Sequence, residues 1–147
     1  MIFKRATYPL LLKHVTEPRR FIQVLSGPRQ TGKTTLARQI MESFKGPSHY
    51  ATADEPALKN QVWLEEQWEI ARVAATAGGK RRKTLLVLDE IQKISAWSET
   101  VKRLWDEDAA SGLPLQVMIL GSAALLVQKG LSAVSYTHLT LPTNREV

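Results

Sequence analysis

Three stretches of this chain are apolar with no charge among them: Phe21-Ile22-Gln23-Val24-Leu25, Thr84-Leu85-Leu86-Val87-Leu88 and Leu115-Gln116-Val117-Met118-Ile119-Leu120. Successive residues of a strand point to opposite faces, so a strand apolar along its length has no side to give to water. Such strands belong inside a sheet covered on both faces. Between them the pattern changes to a helical period. Leu36, Ala37, Ile40, Met41 and Phe44 share one face of Thr34–Phe44, which Gly46-Pro47 stops. Residues 57–77 carry Trp63, Leu64, Trp68, Ile70, Ala71, Val73 and Ala74 in one or two helical pieces, ended by Gly78-Gly79. Ser98 is a candidate cap for a helix holding Val101, Leu104 and Trp105. A short helix over Tyr8–Thr16 and a short strand over His49–Ala53 complete the pattern. Strands alternating with helices predict an α/β domain built on a mainly parallel sheet. A length of 147 residues suits one such domain.

The ends of the three apolar runs carry the chemistry. The first passes into Gly27-Pro28-Arg29-Gln30-Thr31-Gly32-Lys33-Thr34 and then into a helix. Gly27 and Gly32 permit backbone torsions that a side chain disfavours, so successive N–H groups can turn inward around an anion. The helix that follows adds the positive end of its dipole. At this spacing Lys33 reaches the β- and γ-phosphates of a nucleotide, and the Thr34 hydroxyl is placed to ligate Mg²⁺. A glycine-rich turn before a helix is the plain alternative. The full pattern, seated between a strand and a helix, is what the phosphate chemistry requires.

The second run ends in Asp89-Glu90. Ligands of open α/β sheets gather where strands end in this sense. Asp89 is a candidate to hold Mg²⁺ through its water shell, and Glu90 to act as the general base on an attacking water. An acidic pair that caps the next helix is the alternative. The third run ends in Gly121-Ser122. In nucleotide hydrolases with an Asp-Glu pair, an extra strand lies between the other two and ends in a polar residue near the γ-phosphate. Ser122 fits that sensor place; its alternative is to cap a helix over Ala123–Val127. The expected order puts the Leu115–Leu120 strand between the other two.

Charge and composition narrow the partners. The formal charge of +6 suits an anionic partner, whether nucleotide, nucleic acid or a membrane surface, or else is a solvated basic surface with no special role. Lys80-Arg81-Arg82-Lys83 is either a phosphate-backbone contact or a solvated turn. The absence of cysteine excludes a disulfide scaffold, a thiolate metal site and a cysteine nucleophile. His14, His49 and His138 lie far apart without ligand spacing, so no zinc site is expected. The apolar run Leu113–Val127 is too short and too interrupted for a bilayer, and the start lacks a signal-peptide core. The expectation is a cytoplasmic protein with no membrane partner.

These motifs resemble the AAA-type branch of P-loop ATPases, and within it a prokaryotic family whose ATPase domain precedes a C-terminal domain of unknown function. The resemblance rests on Gly27-Pro28-Arg29-Gln30-Thr31-Gly32-Lys33-Thr34-Thr35 and on Leu88-Asp89-Glu90-Ile91-Gln92. Trp97, Leu104 and Leu120-Gly121-Ser122-Ala123 extend it over residues 1–132. It implies a three-layer sandwich, ATP with Mg²⁺, and hydrolysis. It also implies that Gly27 to Thr35 bind the nucleotide, Thr34 and Asp89 the metal, and that Lys33, Glu90 and Ser122 serve catalysis. A nucleic-acid or protein partner would be engaged through the C-terminal domain. Asp54 sits in the acidic turn after the second strand, without an assigned role. A nucleotide-dependent switch or a nucleic-acid-binding module that hydrolyses little is the rival reading, because no arginine finger is evident.

Past Ser132 the chain departs from the family. Val134 to Thr143 resembles a translated sequencing-library adaptor, so residues 133–147 are expected to be non-native. The expected sheet then lacks its fifth strand. The Phe21–Leu25 strand becomes an open edge, the tail stays unpacked, and the fragment is poorly soluble and weakly active.

Overall fold

The apolar runs form the centre of the sheet, and their alternation decides what covers each side. In the computed structural model, which describes residues 7–27, 32–54, 60–122 and 136–140, the elements follow in the order α1 (Thr7–Thr16), β1 (Ile22–Ser26), α2 (Lys33–Ser43), β2 (Ser48–Thr52), α3 (Gln61–Thr76), β3 (Thr84–Asp89), α4 (Trp97–Ser111), β4 (Leu115–Gly121) and β5 (Tyr136–Thr140). Short 3₁₀ turns lie at Ala77–Gly79 and Ile91–Lys93. Leu86 and Leu88 of β3, with Val117 and Ile119 of β4, pack with Leu64 and Trp68 of α3 and with Trp97, Val101 and Leu104 of α4. The intervening Leu85, Val87, Met118 and Leu120 pack with Tyr8, Leu11 and Val15 of α1 and Leu36, Ala37 and Ile40 of α2. Two cores on opposite faces make the three layers.

All strand pairs are parallel, in the order β2-β3-β4-β1-β5. β4 lies between β1 and β3, as expected from the Asp-Glu pair. The register sets Ser26 beside Gly121 and Asp89 beside Leu120, which brings three strand ends to one edge. The polar residues inside the apolar runs are satisfied. Gln116 donates from Nε2 to the Glu17 carbonyl at 2.6 Å, and Gln23 shares its Oε1 with His14 Nδ1 at 2.8 Å. The chain leaving α2 passes close beneath the start of β3. A Cβ at Gly46, where φ is 151°, would stand 2.3 Å from the Lys83 carbonyl oxygen, so only glycine fits.

Three expectations need correction. The sheet does have a fifth strand. Tyr136–Thr140 pairs in parallel with β1, from Ile22 beside Tyr136 to Ser26 beside Thr140, so β1 is not an edge. An uncovered edge presents unpaired N–H and C=O groups, and a segment rich in threonine with an aromatic residue has the β-propensity to take them up. Backbone pairing is indifferent to the origin of the sequence that supplies it. Ser98 is not a cap: α4 starts one residue earlier, after Ala96 in a left-handed conformation (φ 58°), and Ser98 is buried in its first turn. A single helix over residues 57–77 is not formed: α3 starts at Gln61, capped by Asn60, whose side chain accepts from the Trp63 N–H at 3.0 Å, and a first helical piece over residues 57–59 lies outside the described residues. The expectations for Pro28 to Thr31, for a helix over Ala123–Val127 and for residues 133–135 and 141–147 lie outside the described residues.

At the amino end of the strands a buried charge ties α3, α4 and the start of β4 together. Asp108, 2% exposed, accepts from Trp68 Nε1 at 2.8 Å and lies 2.8 Å from Arg72 Nε. Arg19 stacks 3.4 Å over the Trp105 ring and donates to the carbonyls of Leu115 (2.8 Å) and Trp105 (2.7 Å). Burial raises the Asp108 carboxyl above its ordinary range, against the opposing pull of Trp68, Arg72 and Arg19. The native state therefore binds this proton more readily than the unfolded chain, and stability is lost as pH rises through the raised value. Asp108→Asn is expected to gain stability relative to the parent as pH rises from about 4, where an unfolded aspartate ionises. Urea denaturation of both proteins across the acid range checks this; a parent that gains on the variant with rising pH contradicts it.

The pairing of β5 gives a second expectation. A chain ending at Ser132 uncovers the β1 edge and should melt lower and aggregate at concentrations where the full chain stays monomeric. Thermal scans with light scattering decide; equal melting and scattering would show that β5 contributes nothing.

Candidate functional site

The strand ends and the start of α2 enclose a cleft of about 440 Å³, walled by Gly32, Lys33, Thr34, Thr35, Asp54, Asp89 and Glu90. Gly32 holds φ 88°, the left-handed region that glycine adopts at least cost, and its carbonyl receives the Leu36 N–H at 2.9 Å to start the helix. α2 thus points its amino end into the cleft. Lys33 is buried, 8% exposed, and its Nζ donates to the Gly27 carbonyl at 2.8 Å, spanning the loop from end to start. The Gly27 N–H in turn donates to the Gly121 carbonyl at 3.2 Å, which anchors the loop to β4.

Asp89 is nearly buried at the end of β3, on the α2 side of the sheet. Its Oδ2 accepts two hydroxyl hydrogen bonds, from Thr34 Oγ1 at 3.2 Å and from Tyr50 at 2.6 Å. Burial, reinforced by donation to Asp89, pushes the Tyr50 phenol up to about 12. In a straight strand the next residue would point to the opposite face. Glu90 instead takes a left-handed backbone (φ 60°, ψ 31°), which turns the chain off the sheet and leaves Asp89 and Glu90 on one cleft. The Glu90 N–H donates to the Leu120 carbonyl at 3.0 Å, and the Glu90 side chain accepts from Gln92 Nε2. A non-glycine residue in this conformation is strained by about 1–2 kcal/mol, a cost characteristic of functional sites.

The structure brings together Gly32, Lys33, Thr34, Thr35, Asp89 and Glu90 from the expected set. Ser122 stands half-buried one residue past β4, between the strands of Gly27 and Asp89, and is not among the residues walling the cleft. Asp54 lines the cleft and pairs with Lys93, both half-exposed. Tyr50 was not expected. Its strand alternates weakly, and its contact with Asp89 depends on β2 pairing with β3 so that Tyr50 lies beside Val87, diagonal to Asp89. No spacing in the chain encodes that register. In the basic run, Arg81 donates to the Gly112 carbonyl at 3.0 Å and Lys83 to that of Thr16, so two of its four cations bond the fold itself.

The donor set fits a hard divalent cation. The hydroxyl of Thr34 and the carboxylate of Asp89 converge as oxygen ligands, next to a helix amino end and a lysine suited to phosphate. Among the described residues, no helix is long and apolar enough to cross a membrane.

Comparison with known proteins agrees with this geometry. Among solved structures the chain is similar to the Orc1 protein of Aeropyrum pernix, determined in complex with DNA. The TM-score is 0.65 at 18% identity, covering 97% of this chain and 46% of that one. The likeness is one of fold, and the chain spans about half the length of that structure. No curated protein matches. A family model described as an AAA domain matches residues 19–138, well over half of the chain and reaching into β5. This chain belongs to that family of AAA-type P-loop ATPase domains.

Proposed function

We propose that the cleft binds ATP with Mg²⁺ and hydrolyses it. The observation that carries the reading is the convergence of Lys33, Thr34, Asp89 and Glu90, from two separate strand ends, on one cleft at the amino end of α2. In this reading the loop of Gly27, Pro28, Arg29, Gln30, Thr31 and Gly32 cradles the phosphates with its backbone N–H groups past Pro28, and Thr35 flanks it. Lys33 releases the Gly27 carbonyl to reach the β- and γ-phosphates. Thr34 and Asp89 hold the metal, and Tyr50 keeps the Asp89 carboxylate turned toward Thr34. Mg²⁺, when bound, offsets the charge on the phosphate oxygens. The Glu90 carboxylate takes a proton from the water that attacks the γ-phosphorus in line with the departing ADP oxygen. Ser122, one residue past β4 and between the strands of Gly27 and Asp89, serves beside the γ-phosphate or the water in this reading, supported by that central place in the sheet.

One observation favours the rival reading of a switch with little hydrolysis. Among the described residues walling the cleft, Lys33 is the one cation, and charge developing on the transferring phosphoryl normally meets a second. The DNA in the Aeropyrum structure belongs to that protein. For this chain we place a nucleic-acid or protein partner outside the ATPase domain, and the site of action in the cytoplasm. Residues 1–132 form the ATPase domain in this reading, and residues 133–147 are of non-native sequence.

Lys33→Ala removes a charge-assisted contact of about 1.5–3 kcal/mol, so Mg-ATP affinity should fall by about 10- to 150-fold. Isothermal calorimetry that finds equal affinity in the two proteins removes Lys33 from the phosphate site. The two acids should separate. Glu90→Gln is expected to keep Mg-ATP binding and to lose turnover by at least about 100-fold. Asp89→Asn should instead raise the Mg²⁺ concentration needed for half-maximal binding. Turnover of Glu90→Gln at the parent rate would show that Glu90 is not the base.

A further inference from the structure

Hydrolysis as proposed uses the two acids of Asp89-Glu90-Ile91-Gln92 and leaves the rest of the run unexplained. Ile91 is fully buried in the core against α3 and α4. Gln92 is the anomaly. It is a polar side chain only 1% exposed, on the single turn Ile91–Lys93 that follows the acids. A buried amide needs partners at both ends. Its Nε2 donates to Oε1 of Glu90, while its own Oε1 has no partner among the described residues. An apolar side chain of the same length would fill the site without burying an orphan oxygen, so packing alone does not call for glutamine here. The useful half of the side chain is its donor.

Glu90 needs such a donor. Its left-handed backbone directs the side chain to the cleft, but a carboxylate has two oxygens and a torsion about its last bond that is only weakly restrained. We propose that Gln92 is the positioning residue for Glu90: its amide takes one carboxylate oxygen, Oε1, and so fixes the carboxylate plane with Oε2 presented to the attacking water. The proposal rests on the reading of Glu90 as the base. Both residues lie within one turn, so the contact is set by the fold before nucleotide arrives. Gln92 touches no reacting atom and acts through Glu90.

Gln92→Met keeps length and burial and removes the donor. Steady-state hydrolysis by the full chain should show kcat lowered by about tenfold with the KM for ATP within about twofold, and a melting temperature equal to or above the parent's. In a Glu90→Gln background, Gln92→Met should lower kcat no further, since the base that Gln92 positions is already gone. A readout independent of turnover is the Gln92 side-chain amide pair in a ¹⁵N–¹H correlation spectrum, identified by its loss in Gln92→Met. That pair should be protected from hydrogen exchange and should move to the position of a free amide in Glu90→Ala. A pair unmoved by Glu90→Ala overturns the proposal whatever the turnover, as does an unchanged or raised kcat in Gln92→Met. Absence of hydrolysis in the parent, with the amide pair still moved by Glu90→Ala, overturns the hydrolase reading while the contact stands.

Discussion

Strands β1, β3 and β4 have no face for water. Leu85, Val87, Met118 and Leu120 must meet one layer of helices, and Leu86, Leu88, Val117 and Ile119 another. Covering both faces by crossover helices makes neighbouring strands parallel, and parallel strands end together. The functional edge follows from this burial. Ser26-Gly27, Asp89-Glu90 and Gly121-Ser122 arrive at one rim because the residues before them had to be inside. The central place of β4 then fixes both neighbours, since the Gly121 carbonyl takes the Gly27 N–H and the Leu120 carbonyl takes the Glu90 N–H. The loop that starts at Gly27 and the acidic pair are held to a common strand, and the Thr34–Asp89 hydrogen bond joins them directly.

At that rim, charge is managed by hydroxyls and backbone. Asp89 Oδ2 accepts from Thr34 and Tyr50, and Lys33 bonds a neutral carbonyl at the start of its own loop. Hydroxyl donors stabilise a carboxylate yet can turn and accept, which a fixed cation cannot do. Thr34 can thus change partners without leaving Asp89 alone, because Tyr50 remains. The strained turn at Glu90 has the same logic: conformational cost is accepted so that two consecutive acids share one side of the sheet.

Much of this was legible in the chain because it depends on local spacing. The loop pattern from Gly27 to Thr34, the acids after Leu88 and the apolar runs each concern neighbours in sequence, and they predicted the fold and the order of β1, β4 and β3. What was missed depends on pairing or on backbone conformation. Tyr50 reaches Asp89 only through the β2–β3 register. Ala96, not Ser98, precedes α4 because a left-handed residue turns the chain into the helix with no side-chain cap, and composition does not advertise that. β5 was missed because Tyr136–Thr140 lacks the apolar run of the inner strands. An edge strand does not need one: backbone groups alone let it pair with β1.

The opposite end of the sheet shows what the rim is not. There Arg19 spans the linker after α1, the ring of Trp105 on α4 and the first carbonyl of β4, while Asp108 draws Trp68 and Arg72 to the same place. The donors of Arg19 and the acceptors of Asp108 are matched by groups of the fold itself, with a guanidinium stacked on an aromatic face and a carboxylate between an indole and a guanidinium. A ligand would have to displace bonds the fold already makes. At the carboxyl rim the chain holds Lys33 and Asp89 through a carbonyl and hydroxyls that can change partners. It leaves about 440 Å³ between a helix amino end, a lysine, two hydroxyl-bearing residues and three carboxylates, a mixture of signs that apolar packing cannot fill. Such a combination is costly to leave in a folded chain and becomes favourable when an anion with its counter-cation enters, which is the physical reason to look for function at this end and for rigidity at the other.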